Sequence, residues 1–331
     1  MTPKTYYRKP YIVIVGIIAI CFFYLISSTW LKWGELIIDT YREFFTPYEL
    51  LKGKILYKDI FYPYGFLPPY IISWLYKIFG VSIITVVSCG IVITALMSFL
   101  LYKISRIFLD EVFSALVVIT FLFVFAFGYY VYNGIFNFIM PYSYASTFFM
   151  LFTSAALYFF LRFIKNDKRK YLIFWNILLS CAIWSRPDIS LCVWIGFLFI
   201  GCVYIWKNKV RDSIAIFFYF ISPLIISVLG YLVFLHRYNA FAGFKESIID
   251  CIRINAGSAL TRSWFGLDHP FLNIYMTIKS FIWHTAVLAL LGLSIAFSSF
   301  KSFKDGNDSD SSQSIIGNLI VLTCGLIILF W

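Results

Sequence analysis

Runs of about twenty apolar residues recur along this chain and constrain its fold more than any motif does. A helix needs about 20 such residues to cross a hydrocarbon layer, and lipid tolerates only segments that satisfy their own backbone hydrogen bonds. Runs at 11–31, 82–102, 112–130, 141–161, 171–184, 189–206, 213–234, 280–299 and 315–331 meet or approach this length. They do not alternate residue by residue, so a β-barrel is not indicated. Hydrophobic residues make up 61% of the 331 and charged residues 13%, with a mean hydropathy of +0.85, whereas soluble domains carry about 25% charged residues. The expectation is an all-α, polytopic transmembrane helical bundle, a single domain over 1–331 with about nine apolar segments. Its last run stops at Trp331 partway through, as in a chain truncated at the C-terminus.

Charge then orients the bundle. The first run follows Lys4, Arg8 and Lys9; it is too long for a signal-peptide core and lacks a small-residue cleavage site, so it reads as a retained anchor. With the N-terminus in the cytoplasm, 15 of the 27 Lys and Arg fall in about 49 cytoplasmic residues and 12 in about 109 external ones, as the positive-inside rule requires. The net charge of +11 is thereby explained by topology, and no nucleic-acid partner is implied. Six of the seven cysteines lie inside apolar runs, Cys251 being the exception, which argues against a disulfide framework. His236, His269 and His284 are far apart in sequence, so no metal site and no cofactor are expected.

Two external segments are long, 32–81 and 235–279, and long loops in compact domains commonly carry sites. In the first, Asp39 to Lys52 reads as a helix on the membrane surface, its aromatic side on lipid and its charged side in water. Gly53 stops it, Pro63, Gly65, Pro68 and Pro69 break the next stretch, and Tyr70 to Phe79 forms a second amphipathic piece. The 36 residues from 171 to 206 suit a tight helical hairpin with Arg186 and Asp188 at its external tip. The second loop, with Lys245, Glu246, Asp250 and Arg253, reads as a surface helix with a solvated face.

The first loop gathers Asp39, Arg42, Glu43, Lys58, Asp59, Tyr62 and Tyr64. Spacing alone leaves two readings open. Asp39 and Arg42 form an ordinary surface pair worth a few tenths of a kcal/mol, or Asp39 is a base tuned by burial and a neighbouring cation. Arg186 either snorkels to the interface with Asp188 as its partner or helix cap, or it meets a phosphate, since charges among membrane helices tend to be functional. Three functional classes stand side by side: an enzyme, a transporter or flippase of lipid-linked sugars, and a noncatalytic scaffold. The nearly charge-free spans and the lack of an internal repeat favour the enzyme.

The stretches Asp39-Thr40-Tyr41-Arg42-Glu43, Leu51 to Ile60 with Gly53, Tyr57, Lys58 and Asp59, and Tyr62-Pro63-Tyr64-Gly65-Phe66-Leu67-Pro68-Pro69-Tyr70 resemble the first periplasmic loop of bacterial family 39 glycosyltransferase-like proteins. These are relatives of the protein O-mannosyltransferases and the aminoarabinose lipid A transferases, of GT-C architecture. The resemblance runs from about Trp30 to Ile104, with Arg186-Pro187-Asp188 beyond it. It implies a GT-C-like bundle in the bacterial cytoplasmic membrane that moves a hexosyl or pentosyl group. The implied donor is a polyprenyl-phosphate sugar, and the implied acceptor an extracytoplasmic glycan, lipid or protein. Asp39 is then the catalytic residue, and Arg42, Glu43, Lys58, Asp59, Tyr64, Arg186 and Asp188 bind substrate. The chain departs from those relatives at Thr40, where an acidic residue is common, and at Phe66, where proline often follows the glycine; both bear on the acceptor and on activity itself.

Overall fold

The apolar run before Trp30 has its one helix breaker, Pro10, in the first turn, where the missing N–H costs nothing; α1 (Arg8–Thr29) forms from it. The computed structural model describes residues 8–32, 39–128, 137–208, 213–257, 269, 271–276 and 278–279. The expected segments 280–299 and 315–331 lie outside the described residues. Two short helices follow α1, α2 (Asp39–Leu51) and α3 (Leu67–Phe79). Gly53, at φ +92°, ends α2, and Pro68 and Pro69 occupy the first turn of α3, a place proline favours.

Next come α4 (Ile83–Ser105) and α5 (Glu111–Thr120), which continues as a π-helical turn over Phe121–Ala126. Ser82 caps α4 by accepting from the Thr85 N–H at 3.1 Å, and Asp110 caps α5 from the Phe113 N–H at 2.9 Å. The remaining helices are α6 (Tyr144–Asn166), α7 (Lys170–Ser185), α8 (Pro187–Asn208), α9 (Ser213–Tyr238) and α10 (Phe241–Gly257). Among the described residues there is no strand, only one isolated bridge from Leu56 to Ile60.

Five of these helices contain spans long and apolar enough to cross a membrane, Ile12–Thr29, Ile83–Ser105, Tyr144–Asn166, Pro187–Tyr204 and Ile216–Tyr238, while Glu111–Ala126 and Lys170–Ser185 are shorter apolar helices. Large side chains such as Ile20, Phe23, Phe99, Phe199 and Val233 stay exposed on them. Such a surface suits lipid and not water. The chain is an all-α, multi-pass helical bundle.

The chain divides into two units, 1–106 with 110–249, and 107–109 with 250–331. In the second, Arg253 pairs with Asp250 at 3.6 Å. The first unit has three apolar clusters. Leu25, Ile72, Val86, Ile93, Phe121 and Phe148 tie α1 and α3 to α4, α5 and α6. Trp175 sits at the centre of α6 to α9 with Phe160, Phe197 and Phe220 around it. Leu56, Tyr57 and Tyr62 of the loop between α2 and α3 pack on Leu235 and Ala240, so that loop is held by the end of α9. Pro223 inside α9 removes one helical N–H. The Tyr219 carbonyl four residues earlier takes the Ser222 hydroxyl at 2.9 Å instead.

Candidate functional site

The buried face of α2 is polar. Thr40, Glu43, Thr46 and Glu49 recur every three residues and are all buried, while Tyr41 and Phe45 stack outward at 5.2 Å. The aromatic side is therefore outward as its sequence suggests, but Glu43 and Glu49 turn into the protein and not to water. Each has fixed partners there. Glu43 Oε1 accepts from Arg42 Nε at 3.1 Å, and its Oε2 accepts from the Tyr144 N–H at 2.9 Å. Glu49 pairs with Lys54 and, at 3.5 Å, with Lys52. Glu43 thus sits at the N-terminus of α6, where the helix dipole favours a negative charge.

Arg42 reaches the same turn: Nη2 donates to the Tyr142 carbonyl at 3.1 Å, and the guanidinium lies 5.4 Å from the Tyr142 ring and 5.0 Å from that of Tyr64. A second guanidinium, Arg186, lies 4.8 Å from the Tyr64 ring. Pro187 steers Arg186 out of the helical region (φ −142°, ψ 82°), ending α7 and starting α8. The expected hairpin tip has this origin. Arg186 grips Asp188 with both Nε (3.0 Å) and Nη2 (2.7 Å), and its Nη1 donates to Ser146 Oγ at 2.6 Å.

Tyr64 is fixed between them from below. The Tyr57 hydroxyl donates to the Tyr64 carbonyl at 2.6 Å, and the Gly65 N–H donates to the Ser185 carbonyl at 3.0 Å. A Cβ on Gly65 would collide with the Trp184 carbonyl, so only glycine lets the loop lie this close to the end of α7. Phe66 then stacks on Phe234 at 4.7 Å and meets Tyr231 at 5.0 Å. The phenylalanine that sets this sequence apart serves as an anchor between the loop and α9.

The arrangement sets two guanidinium–carboxylate pairs beside a neutral aromatic group. The side chains of Arg42 and Arg186 are 22% and 15% exposed. Burial is the largest single influence on Arg42 and works to lower its value, but the charge and hydrogen bond of Glu43 together with Tyr64 and Tyr62 outweigh it, and the guanidinium ends above its ordinary range. Burial likewise opposes the charge on Arg186, and the hydrogen bonds and charge of Asp188 reverse that. Burial pushes the Tyr64 phenol up against the pull of Arg42. Tyr64 is thus neutral at ordinary pH, and both arginines are charged.

Of the residues singled out in the sequence, the fold brings Arg42, Glu43, Tyr64, Arg186 and Asp188 together. Asp39 opens α2; its side chain lies outside the described residues. Lys58 and Asp59 are exposed in the turn below Tyr64, where Asp59 accepts from the Ile55 N–H at 2.8 Å. Among the described contacts neither touches Arg42 or Arg186. Tyr142, Tyr144 and Ser146 complete the site without having been singled out. Their signal was the polar stretch Tyr142-Ser143-Tyr144-Ala145-Ser146 directly before an apolar run, which marks a helix start. Among the described residues no three His, Cys, Asp or Glu converge on a point that could hold a metal ion.

A bundle of membrane-crossing helices thus holds two arginines around one tyrosine, where α6 begins and α7 ends. The chain belongs to the dolichyl-phosphate-mannose-protein mannosyltransferase family, whose model matches residues 63–231, just over half of the 331. It is a membrane glycosyltransferase of GT-C type. The match takes in Tyr64, Ser146, Arg186 and Asp188 and begins after α2 with its Arg42 and Glu43. No curated protein and no solved structure matches the chain.

Proposed function

We propose that this chain transfers a hexosyl or pentosyl group from a polyprenyl-phosphate donor to a glycan, lipid or protein acceptor outside the bacterial cytoplasmic membrane. The observation that carries this reading is the pair of guanidinium groups, Arg42 and Arg186, about 5 Å from the Tyr64 ring. Guanidinium forks suit phosphate oxygens, and the family name itself refers to a lipid-phosphate sugar. Asp39 is the base. Its carboxylate takes the proton of the acceptor hydroxyl as that oxygen bonds to the anomeric carbon; the bond from that carbon to the phosphate oxygen breaks, and its electrons leave with the polyprenyl phosphate. A phosphate leaves as a weakly basic anion, so it needs cations and no proton donor. Arg42 and Arg186 receive it, Glu43 and Asp188 hold them in place, and Lys58 and Asp59 on the exposed turn guide the acceptor.

The test is Asp39→Asn in protein that still inserts and expresses. Transfer from a radiolabelled polyprenyl-phosphate sugar is expected to fall about 10²- to 10⁴-fold, the usual contribution of a general base, while binding of the lipid persists. Wild-type turnover in the variant would remove Asp39 from this role.

A further inference from the structure

Three hydroxyls at the site are buried without a hydrogen-bond partner among the described residues: Thr40 Oγ1, Tyr62 Oη and Ser143 Oγ. They come from three separate segments, and each adjoins the Arg42–Glu43 pair. Thr40 lies one helical turn before Glu43 on the buried face of α2. Ser143 stands between Tyr142, whose carbonyl takes Arg42, and Tyr144, whose N–H goes to Glu43. Tyr62 packs edge-on to Tyr64 at 5.6 Å, the ring beside both guanidinium groups.

The local alternatives for these groups are not taken. A serine at an N-cap ordinarily accepts from the first turn of its helix, yet Ser143 caps α6 with its backbone alone. Thr40 Oγ1, in the first turn of α2, is likewise unpaired among the described residues. Buried polar groups in native proteins are nearly always paired, and exceptions call for an explanation. Other such atoms among the described residues include Ser114 Oγ, Thr153 Oγ1, Trp175 Nε1 and Tyr231 Oη.

Chemistry narrows what would pair them. A hydroxyl both donates and accepts, as a sugar hydroxyl does, whereas a phosphate oxygen accepts only. Charge at the site is already handled by the two arginines and their carboxylates. We propose that Thr40, Tyr62 and Ser143 form the subsite for the hydroxyl groups of the donor's sugar, beside the arginines that take its phosphate, and that the sugar it fits is uncharged. This rests on the lipid-phosphate donor assigned above. Burial also pushes the Tyr62 phenol well above its ordinary range, with Glu43 adding to the effect, so the group keeps its proton and can donate it to a hydrogen bond.

The experiment compares two lipids on the purified full-length chain, bare polyprenyl phosphate and polyprenyl-phosphate hexose. The wild type is expected to bind the sugar-bearing lipid at least tenfold more tightly. Thr40→Val, Tyr62→Phe and Ser143→Ala should each remove about two- to tenfold of that increment, the range of a single hydrogen bond, and leave affinity for the bare lipid unchanged. Thermal unfolding of the variants should be unchanged or shifted upward, since the deleted hydroxyls have no partner among the described residues. Equal binding of the two lipids by the wild type overturns the proposal. So does an increment that survives in all three variants, or one that survives while the unfolding temperature drops, which would assign the hydroxyls to structure. If neither lipid binds the wild type, the donor assignment itself fails along with the subsite.

Discussion

Arg186 and Arg42 show how a single side chain is made to hold a charge where water is scarce. Each guanidinium is pinned by a carboxylate and an aromatic ring, and each pin is specific to the planar fork: Arg186 uses Nε and Nη2 on Asp188 and Nη1 on Ser146. A lysine has the charge but not the fork. Arg186→Lys should therefore lower the affinity for polyprenyl phosphate about tenfold or more, the worth of a charge-assisted hydrogen bond, with insertion and helix content intact. Isothermal titration of the lipid into the purified variant checks this, and unchanged affinity would mean that Arg186 is only an interfacial anchor. The residue types of the site were legible in the sequence, because charged and tyrosine side chains stand out in a chain this apolar. Their pairing was legible only where it is local. Arg186 meets Asp188 two positions on, but Glu43 meets Tyr144, 101 positions away, and no spacing rule reaches that far. Asp39 with Arg42 is the natural pair on helical spacing; the Asp39 side chain lies outside the described residues, and among those described Arg42 pairs with its immediate neighbour Glu43.

At the scale of elements, helix positions followed from apolar runs and stops, and the misreadings have local causes. Pro68 and Pro69 read as breaks, so the second amphipathic piece was expected from Tyr70; proline is tolerated in a first turn, and α3 begins at Leu67. The facing of α2 was half legible. Its aromatic stripe predicts an outward side, but a carboxylate-rich stripe says nothing of whether water or a partner helix will satisfy it. The helix is docked by Glu43 on the start of α6 and by the Arg42 contact to Tyr142. Glu43→Gln keeps an acceptor for the Tyr144 N–H and removes the charge that balances Arg42. The expected loss is about 1.5–3 kcal/mol, read as a lower unfolding temperature together with weaker lipid binding; a variant as stable as the wild type would show that α2 is held by packing alone. The loop after α2 is held by contact with α7 at Gly65. Gly65→Ala drives a methyl group into the Trp184 carbonyl, and backbone cannot swing aside as a side chain can. A destabilisation of about 1–3 kcal/mol is expected, with a larger fractional loss of activity, because Tyr64 moves with the loop. Thermal unfolding and transfer assays on the same preparation separate the two effects.

At the scale of the whole molecule, α6 sets the distance between the arginine–tyrosine site and a basic connection. The N-terminal end of α6 carries Ser146, which Arg186 contacts, and its far end carries Arg162 and Lys165, followed by Lys168, Arg169 and Lys170 at the turn into α7. The helix has 23 residues, and at about 1.5 Å per residue it is about 34 Å long, close to the roughly 30 Å of a hydrocarbon core. One helix therefore places the arginine–tyrosine site at one surface and a basic connection at the other. Under the function proposed above, the five positive charges of this short connection would lie in the cytoplasm by the positive-inside rule and the site outside, where a lipid-linked donor and an envelope acceptor would meet. The exposed turn at Lys58, held under Tyr64 by the Tyr57 hydroxyl, must then also be outside. In a variant whose native cysteines are replaced, Lys58→Cys should react with a membrane-impermeant maleimide in cells whose cytoplasmic membrane is intact. Lys168→Cys should react only after that membrane is permeabilised. The reverse labelling would invert the bundle and put the site on the cytoplasmic side; labelling of both positions in intact cells would mean that α6 does not span the bilayer.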